Sequence, residues 1–451
     1  MDITIFPGGL DGTAGAIPSK SQAHRALICA ALADNPTRIE CDGESGDIAA
    51  TIACLNALGA SIAHEQGGYY VSPMTARRDS SANSEFRIQN LKSGDGECVS
   101  RRGNMPPIIS PITLPCGESG STFRFLLPIV CALGRTASFM PSGRLPQRPL
   151  SPLIDEIVRH GCSLSPHGSI PFRASGQLAP GYYTMDAGVS SQFVSGLLFA
   201  LPLLDGNSEL HLIGRVESFP YIELTLAALE TFGVETEFNG TVFVISGGQE
   251  YRSPGVVSIE GDWSNAAFWL GAGAVGAGCI TCTGLDTQSR QGDRAIMDIL
   301  KRFGARVEEC NSAVTVNGGD LKGVEIDAQD IPDLVPILAV VAASAEGITV
   351  IHNAGRLRDK ESDRLAAITD ALQRLGSDVF EREDELIICG GAPLTGGQIS
   401  SWGDHRIAMA ASIAATVCSG AVKVVGAEAV GKSYPGFFDD LRSLGGRIIE
   451  N

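Results

Sequence analysis

Eight basic side chains lie at or just inside positions where the sequence predicts the start of a helix. These are Lys20, Arg25, Arg124, Arg148, Lys360, Arg364, Arg406 and Lys432. A helix dipole disfavours cations at its N-terminus, so helix capping does not explain this pattern. The free N–H groups at a helix start favour a bound anion as well. The sequence therefore predicts a site for two or more phosphate or carboxylate groups, held between parts of the chain.

Hydroxyl and carboxyl side chains stand at the same helix starts. A carboxyl group there could transfer protons if its surroundings adjust its pKa. Ser264, Asp293 and Ser362 are explained by ordinary helix capping, because Ser and Asp are favoured at helix starts. Taken alone, Glu361 would also be a helix-start carboxylate that the dipole favours.

The helices that must position these side chains belong to a repeated unit. About every 70 residues an amphipathic stretch ends on a glycine and continues into a short apolar segment, which indicates a repeated supersecondary unit. Glycine adopts the left-handed conformation at a helix end, so each copy is predicted to be a helix, a C-cap and a strand. The six glycines are Gly59, Gly161, Gly233, Gly304, Gly376 and Gly445. The first interval is longer by about 30 residues, which predicts a surface insertion at about residues 74–112 that carries no chemistry.

Each unit contains two helices of different character. The second helix is amphipathic and is predicted to cover a sheet, whereas the first is apolar on every face and must be enclosed. Because single cores stop growing near about 250–300 residues, six units are predicted to form two groups of three. A polar stretch places the boundary near residues 250–258, and the first strand, residues 2–8, could pair with either half.

Composition and charge exclude several classes of function. The chain of 451 residues has 34 basic and 51 acidic side chains, a net charge of −17, which argues against broad nucleic-acid binding. The twelve scattered cysteines are typical of a reducing cytoplasm, and Cys279 and Cys282 are predicted to be strand cysteines rather than zinc ligands. The N-terminus lacks the pattern of a signal peptide. The uncharged residues 263–285 are predicted to form a buried helix and strand rather than a membrane span.

One glycine pattern matches the sequence motif of a dinucleotide-binding site. Gly271, Gly273 and Gly276 form the pattern G-x-G-x-x-G, with Asp293 about 20 residues further along. The true motif lies between a strand and a helix. The repeat places these glycines inside an apolar helix, where small residues allow close packing, so a dehydrogenase would depend on this pattern alone.

Eight motifs in order along nearly the whole chain resemble the 5-enolpyruvylshikimate-3-phosphate (EPSP) synthase family. They are Pro18–Leu27, Gly117–Arg124, Arg148-Pro149-Leu150, Ser190–Phe193, Pro332-Asp333, Lys360–Arg364, Asp404-His405-Arg406 and Lys432–Pro435. The resemblance implies an α/β fold, a two-domain inside-out α/β barrel in which each domain has three βαβαββ units around buried central helices. It implies a shikimate-3-phosphate side at residues 18–256, and a phosphoenolpyruvate side at residues 1–17 and 257–451.

The resemblance also implies an activity. A family member transfers the enolpyruvyl group of phosphoenolpyruvate to the 5-hydroxyl of shikimate 3-phosphate and releases phosphate, through a tetrahedral intermediate. The expected protein is a cytoplasmic monomer of aromatic amino-acid biosynthesis. It needs no cofactor and no metal, and it binds neither nucleic acid nor membrane.

The family's residue roles fall on matching positions of this sequence. The resemblance assigns Ser21 and Arg25 to the shikimate carboxylate, and Gln192 and Tyr221 to the shikimate ring. The shikimate phosphate is assigned to Ser190, Ser191, Ser218 and Lys360. Phosphoenolpyruvate is assigned to Lys20, Gly120, Arg148, Arg364, Arg406 and Lys432.

Three residues are expected to carry the chemistry. Glu361 is the candidate acid, and Asp333, facing the 5-hydroxyl, is the candidate base, with Lys20 assisting. Cations around a carboxylate lower its pKa, which conflicts with an acid role unless the bound dianionic substrate offsets them.

The chain also departs from the family pattern. Glu118 and Ser119 replace Asn-Ala, Phe219 replaces a basic residue, and Arg356 replaces an Asn on the shikimate side. These changes bear on affinity and inhibitor response more than on the type of reaction. Gly120 keeps the small residue that the family associates with sensitivity to glyphosate.

Two other functions remain open. The sister enzyme that transfers enolpyruvyl to UDP-N-acetylglucosamine shares the fold and uses a loop cysteine, for which Cys116 is a possible counterpart. A non-catalytic anion-binding repeat protein would keep the Arg and Lys residues but would need neither Asp333 nor Glu361.

Overall fold

The computed structural model describes residues 1–74 and 111–451. Most of the predicted insertion at 74–112 lies outside this part of the chain. In the described part, each unit contributes one helix that is buried on nearly every face. These central helices are α1 (Lys20–Leu32), α3 (Gly120–Ala132), α5 (Ser191–Ala200), α7 (Trp263–Val275), α9 (Val335–Ser344) and α11 (His405–Val417). The outer helices are α2 (Gly46–Ala57), α4 (Leu153–Arg159), α6 (Phe219–Thr231), α8 (Ile296–Phe303), α10 (Arg364–Arg374) and α12 (Phe437–Ser443).

The strands form six four-stranded mixed sheets. The first-half strands are β3 (Thr37–Glu40), β4 (Ser61–Glu65), β5 (Gly68–Ser72), β6 (Ile112–Gly117), β7 (Ala137–Pro141), β8 (Cys162–Leu164), β9 (Phe172–Gly176), β10 (Tyr182–Asp186), β11 (Ser208–Ile213), β12 (Glu237–Phe238), β13 (Val242–Ile245) and β14 (Val256–Ser258). The others are β1 (Asp2–Phe6), β2 (Gly12–Gly15), β15 (Cys279–Thr283), β16 (Arg306–Cys310), β17 (Ala313–Asn317), β18 (Glu325–Asp327), β19 (Gly347–His352), β20 (Asp378–Glu381), β21 (Leu386–Gly390), β22 (Gly397–Ser400), β23 (Val422–Val425) and β24 (Arg447–Glu450).

All six sheets share one pairing pattern. The sheet β6-β7-β9-β8 is typical: β6 and β7 are parallel neighbours across α3, whereas β7–β9 and β9–β8 are antiparallel. Three sheets, β6-β7-β9-β8, β10-β11-β13-β12 and β18-β19-β21-β20, are each built from one continuous stretch of chain with the order βαβαββ, whereas the other three each take one strand, β1, β2 or β14, from elsewhere in the chain. The structure therefore confirms the repeated unit, and its described sheets are mixed and open rather than a closed barrel.

Two hydrophobic clusters hold the units together. One is built from residues 23–251 around α1, α3 and α5, and the other from residues 3–14 and 263–444 around α7, α9 and α11. The N-terminal strands join the second cluster, because β1 pairs with β23 and β24, and β2 pairs with β15. The strand β14, which comes just before the second half in the chain, pairs with β3 of the first half.

The chain passes between the halves twice, and the two crossings lie side by side. Ser19 N donates to Glu260 O at 2.8 Å, and Asp262 N donates to Ile17 O at 2.7 Å. Each crossing leads directly into a central helix, α1 or α7. Both helix starts are therefore held at the junction of the halves.

Two predictions from glycine are confirmed. All six repeat glycines have positive φ, from 72° at Gly233 to 106° at Gly304, as a left-handed helix end requires. In the pattern G-x-G-x-x-G, Gly271 and Gly273 lie in the latter half of α7, and Gly276 is its C-cap. A side chain at Gly271 would collide with Ile337 of α9, and one at Gly273 with the Val316 carbonyl. Close helix packing therefore explains these glycines.

The apolar stretch at residues 263–285 forms α7 and the strand β15, as predicted. Cys279 and Cys282 lie on that strand. None of the helices in the described ranges is long and apolar enough to cross a membrane.

Candidate active site

One cavity lies where the N-termini of all six central helices meet. Lys20 and Ser21 reach it from α1, Gly120 from α3 and the Ser190–Gln192 segment from α5. The second half contributes Asp262 and Ser264 at α7, Asp333 before α9, and His405 and Arg406 at α11. Six helix starts give the cavity a positive field before any charged side chain is counted.

The structure brings the residues singled out from the sequence together around this cavity. It is lined by Lys20, Ser21, Arg25, Gly120, Arg148, Ser190, Ser191, Gln192, Ser218, Tyr221, Asp333, Lys360, Glu361, Arg364 and Arg406. Lys432 lies just outside the lining, with its Nζ 3.6 Å from Glu361 Oε1. The outer helices take part through the segments that precede α4, α6, α10 and α12.

Arg364 connects the acidic groups of the second half. Its guanidinium, only 1% exposed, lies 2.8 Å from carboxylate oxygens of Asp404, Asp333 and Glu361. Burial opposes the charge, but these three carboxylates outweigh it and raise the pKa of Arg364. A permanently charged arginine thus fixes both candidate acid–base groups.

Neighbouring cations favour the ionised form of both candidate acid–base groups. Burial by itself would raise the pKa of Asp333, but Arg406, Lys360 and Arg364 hold it well below its usual value. The pKa of Glu361 is likewise well below normal despite burial, because Lys432, Arg364 and Arg148 surround it. With these cations around them, both carboxylates are ionised at neutral pH.

The two lysines of the cavity have opposite pKa shifts. Burial lowers the pKa of Lys20, but Asp47, whose Oδ2 lies 2.9 Å from Nζ, and Glu361 outweigh it, so the net shift is upward. Asp47 in turn has its pKa lowered to about 2, since Lys20 and Lys432 outweigh burial. Lys360 lacks such a close partner, and burial lowers its pKa to about 7. Lys360 is therefore poised to gain a proton when an anion binds.

The first half holds its arginines with backbone and side-chain acceptors. Arg25 donates to Thr225 Oγ1 at 2.8 Å, Ser21 O at 2.6 Å and Tyr221 O at 2.7 Å, and burial lowers its pKa to about 10. Arg124 donates to Gln192 Oε1 at 2.8 Å. Arg124, one of the eight predicted cations, lines the cavity itself and also orients Gln192.

Several contacts join the two halves across the cavity. Arg148 Nε donates to Asp359 O at 3.0 Å, and its Nη1 lies 3.9 Å from Glu361 Oε1. Arg356 Nη2 donates to Ser218 Oγ at 2.5 Å. Residues from both halves therefore complete one site in this closed arrangement.

The explanation of Ser264, Asp293 and Ser362 as helix caps is wrong. The Ser264 hydroxyl bonds to Asp293, and Ser362 Oγ donates to Asp404 Oδ2 at 3.1 Å. Asp262 and Asp363 cap α7 and α10 instead. The three side chains have tertiary partners around Arg364 and Tyr221, which local helix preferences do not reveal.

Sequence reasoning also missed four buried acidic groups beside the cavity: Asp47, Asp262, Asp293 and Asp404. Each is at most 6% exposed. A signal was present for Asp404, which stands in the motif with Arg406, and for Asp293, which precedes the outer helix of its unit as Glu361 does. Their burial beside arginines could not be read from spacing.

The four residues that depart from the family pattern lie in different parts of the structure. Arg356 lines the cavity beside Ser218 and also contacts Glu217. Phe219 stacks on Phe238 with ring centroids 5.6 Å apart, away from the cavity. Glu118 is exposed at the mouth, where its Oε2 lies 3.9 Å from Lys432 Nζ, whereas Ser119 is buried and caps α3.

Cys116 does not face the cavity. It is fully buried on β6, and burial raises the pKa of its thiol to about 12. A thiol in that position is not a reactive nucleophile. Within residues 1–74 and 111–451, no cluster of His, Cys, Asp and Glu side chains is arranged to hold a metal ion.

Comparison with known proteins gives one family. The family model described as EPSP synthase (3-phosphoshikimate 1-carboxyvinyltransferase) matches residues 7–78 and 76–441. The chain is similar to the 3-phosphoshikimate 1-carboxyvinyltransferase of Clostridium kluyveri, with 42% identity over 99% of this chain and 98% of the relative. The chain is also 41% identical to the enzyme of that name from Clostridium acetobutylicum, over 99% of this chain and 98% of the relative.

Solved structures share the fold. The EPSP synthase from Acinetobacter baumannii matches with a TM-score of 0.77 and 24% identity, over 100% of both chains. The enolpyruvyl transferase NikO from Streptomyces tendae matches with a TM-score of 0.76 and 20% identity, over 100% of this chain and 98% of the other. The inside-out two-domain α/β architecture is therefore that of these transferases.

Proposed function

The chain belongs to the EPSP synthase family, and on that premise we propose that its cavity transfers the enolpyruvyl group of phosphoenolpyruvate to the 5-hydroxyl of shikimate 3-phosphate. The observation that carries this proposal is a single cavity at which six helix N-termini and basic side chains from both halves meet, together with two carboxylates, Asp333 and Glu361. Two multiply charged anions match that field, and the carboxylates suit proton transfer between them.

Shikimate 3-phosphate is assigned to the first half of the cavity, with residues 18–256 as its side of the site. Ser21 and Arg25 take the carboxylate, and Gln192 and Tyr221 lie along the ring. The phosphate is taken by Ser190, Ser191, Ser218 and Lys360. Three hydroxyls, one buried lysine and the start of α5 are a suitable set of donors for a phosphate dianion.

Phosphoenolpyruvate is assigned to the second half, residues 1–17 and 257–451, together with the start of α3. Its partners are Lys20, Gly120, Arg148, Arg364, Arg406 and Lys432. Arg148, Arg364 and Lys432 all surround Glu361. A substrate phosphate competes for these cations, so the pKa of Glu361 rises as phosphoenolpyruvate binds. This removes the conflict between its low pKa and an acid role.

The proposed chemistry is addition followed by elimination. Glu361 delivers a proton to the methylene carbon while the 5-hydroxyl oxygen bonds to the adjacent carbon and gives its proton to Asp333. Lys20, 2.9 Å from Asp47, assists by stabilising negative charge. The tetrahedral intermediate then loses phosphate as the C–O bond breaks, and the Glu361 carboxylate takes a proton from the methyl group, which restores the double bond and returns Glu361 to its acid form.

The cellular setting is part of the proposal. Both halves of one chain complete the site, which supports a monomer. The cysteines in the described ranges are free thiols, which supports a cytoplasmic enzyme.

Phosphate release from phosphoenolpyruvate, with alternative acceptors, tests the proposed function. Release should require shikimate 3-phosphate and should not occur with UDP-N-acetylglucosamine. Release with only the sugar nucleotide would assign the chain to the sister reaction, although buried Cys116 argues against it. If neither acceptor supports release, the protein only binds anions.

A further inference from the structure

Asp293 is a buried carboxyl group that the proposed chemistry has not used. It lies in the short turn before α8 and is only 2% exposed. One oxygen, Oδ2, contacts the Ser264 hydroxyl, whereas the other, Oδ1, is buried without a hydrogen-bond partner in the structure. A buried carboxylate with an unpaired oxygen is costly, so this environment favours the protonated acid.

The phenol of Tyr221 stands between Asp293 and the candidate base. Its hydroxyl oxygen lies 3.1 Å from Asp333 Oδ2 and 3.5 Å from Asp293 Oδ2. One O–H group thus faces two carboxyl groups, one of which lines the centre of the cavity while the other lies behind it. This arrangement allows a proton to pass from one carboxyl to the other through the phenol.

The charged groups around Asp293 differ from those around Asp333. Asp333 contacts Arg364 at 2.8 Å and Arg406 at 3.0 Å, which makes it a weak base. Asp293 faces Asp333 from the segment before α9, Asp262 from α7, Arg406 from α11 and Tyr221 from α6. Burial and then Asp333 raise the pKa of Asp293 to about 7, with Arg406 opposing. That value suits a proton acceptor at neutral pH.

We propose that Asp293 is the final acceptor of the proton that leaves the 5-hydroxyl, and that Tyr221 carries this proton from Asp333. The hydroxyl O–H bond breaks and its proton joins Asp333 Oδ2. Asp333 then protonates the phenol oxygen as the phenol releases its own proton to Asp293 Oδ2. Tyr221 ends unchanged and the pair of carboxyls has gained one proton. The reverse transfer returns that proton to the departing phosphate.

This inference rests on the proposed function, and Asp293 is a positioning and relay residue because it acts through Tyr221. The test is the pH profile of kcat/KM for the wild type, Asp293→Asn, Tyr221→Phe and a control, Asp298→Asn. Asp298 lies on the same helical segment, but its side chain is 78% exposed, so this variant removes one charge without touching the cavity.

Wild-type kcat/KM should fall as the pH drops through about 7, because Asp293 that is already protonated in the free enzyme accepts no proton. Asp293→Asn should lose this limb and turn over at least about tenfold more slowly at pH 8, with KM values unchanged within about twofold. Tyr221→Phe should lose the same limb, even if Asp293→Asn folds poorly. Asp298→Asn should behave as wild type.

The proposal is overturned if Asp293→Asn or Tyr221→Phe keeps the wild-type limb. A second measurement needs no substrate: infrared spectroscopy of the free protein should show a protonated carboxyl band that titrates near pH 7 and is absent in Asp293→Asn. If no such band exists, Asp293 is not the acceptor. An inactive wild type that still shows the band would instead contradict the proposed function alone.

Discussion

Gly120→Ala tests how closely α3 packs on a cation of the phosphoenolpyruvate site. Gly120 is the first residue of α3 and adopts an ordinary helical conformation, so alanine is compatible with the backbone. An added Cβ would lie only 2.9 Å from Arg148 Nη1, where ordinary contact begins near 3.4 Å. The guanidinium must therefore move by about 0.5 Å, since the helix backbone cannot.

The displacement has a calculable cost. Arg148 is held by the Asp359 carbonyl at 3.0 Å and is only 8% exposed, so it has little freedom to move away. Losing one well-formed hydrogen bond to a charged ligand costs about 1.5–3 kcal/mol. That energy raises the KM for phosphoenolpyruvate about 10- to 150-fold. The KM for shikimate 3-phosphate should change by less than about twofold, because its proposed partners lie on α1, at the starts of α5 and α6 and in the Lys360 segment, and none of them is the Arg148 guanidinium that the new Cβ displaces.

Steady-state phosphate release with each substrate varied in turn measures both KM values. Gly436→Ala is the matched control, because a Cβ at that glycine meets no atom within 4 Å. Alanine is a better helix former than glycine, so Gly120→Ala should melt no earlier than wild type. An unchanged KM for phosphoenolpyruvate, or an equal rise in both KM values, would refute the packing argument.

Three further predictions concern neighbouring groups. Glu361→Gln should keep the wild-type affinity for shikimate 3-phosphate by calorimetry but slow turnover about 100-fold or more, and near-normal turnover would remove Glu361 from the mechanism. Burial lowers the pKa of Lys360 to about 7, and a bound phosphate should raise it again, so shikimate 3-phosphate binding at pH 8 should take up protons. Calorimetry in buffers of different ionisation enthalpy detects this uptake, which Lys360→Met should abolish; equal heats for wild type would contradict it. Arg356→Asn removes the bond to Ser218 and should raise the KM for shikimate 3-phosphate about tenfold, whereas an unchanged KM would show that Arg356 is only structural.

Much of the fold could be predicted from the chain because its signals are local. A glycine with positive φ ends each amphipathic helix, as Gly59 and Gly304 illustrate, and the period of these glycines gave the six units. The central helices are apolar on every face, and this pattern alone predicts that they are buried. Local patterns left open the pairing of β1 and β2 with the second half, because it depends on long-range contacts between chain ends; only the family resemblance implied it.

The cations of the site were predictable for a related reason. Lys20 and Arg406 are out of place at helix starts, and a residue that violates a local rule signals function. Buried carboxyls such as Asp293 and Asp404 violate no local rule, since Asp is normal at a helix start. Their roles follow only from tertiary contacts with Tyr221 and Arg364.

The central claim is that Glu361 adds a proton to phosphoenolpyruvate while the shikimate 3-phosphate hydroxyl attacks. The most direct measurement is turnover in D2O, followed by nuclear magnetic resonance or mass spectrometry of the product. Addition followed by elimination predicts deuterium in the vinyl group, because the methyl group of the intermediate carries one solvent deuteron. Product without vinyl deuterium would contradict the proposed mechanism.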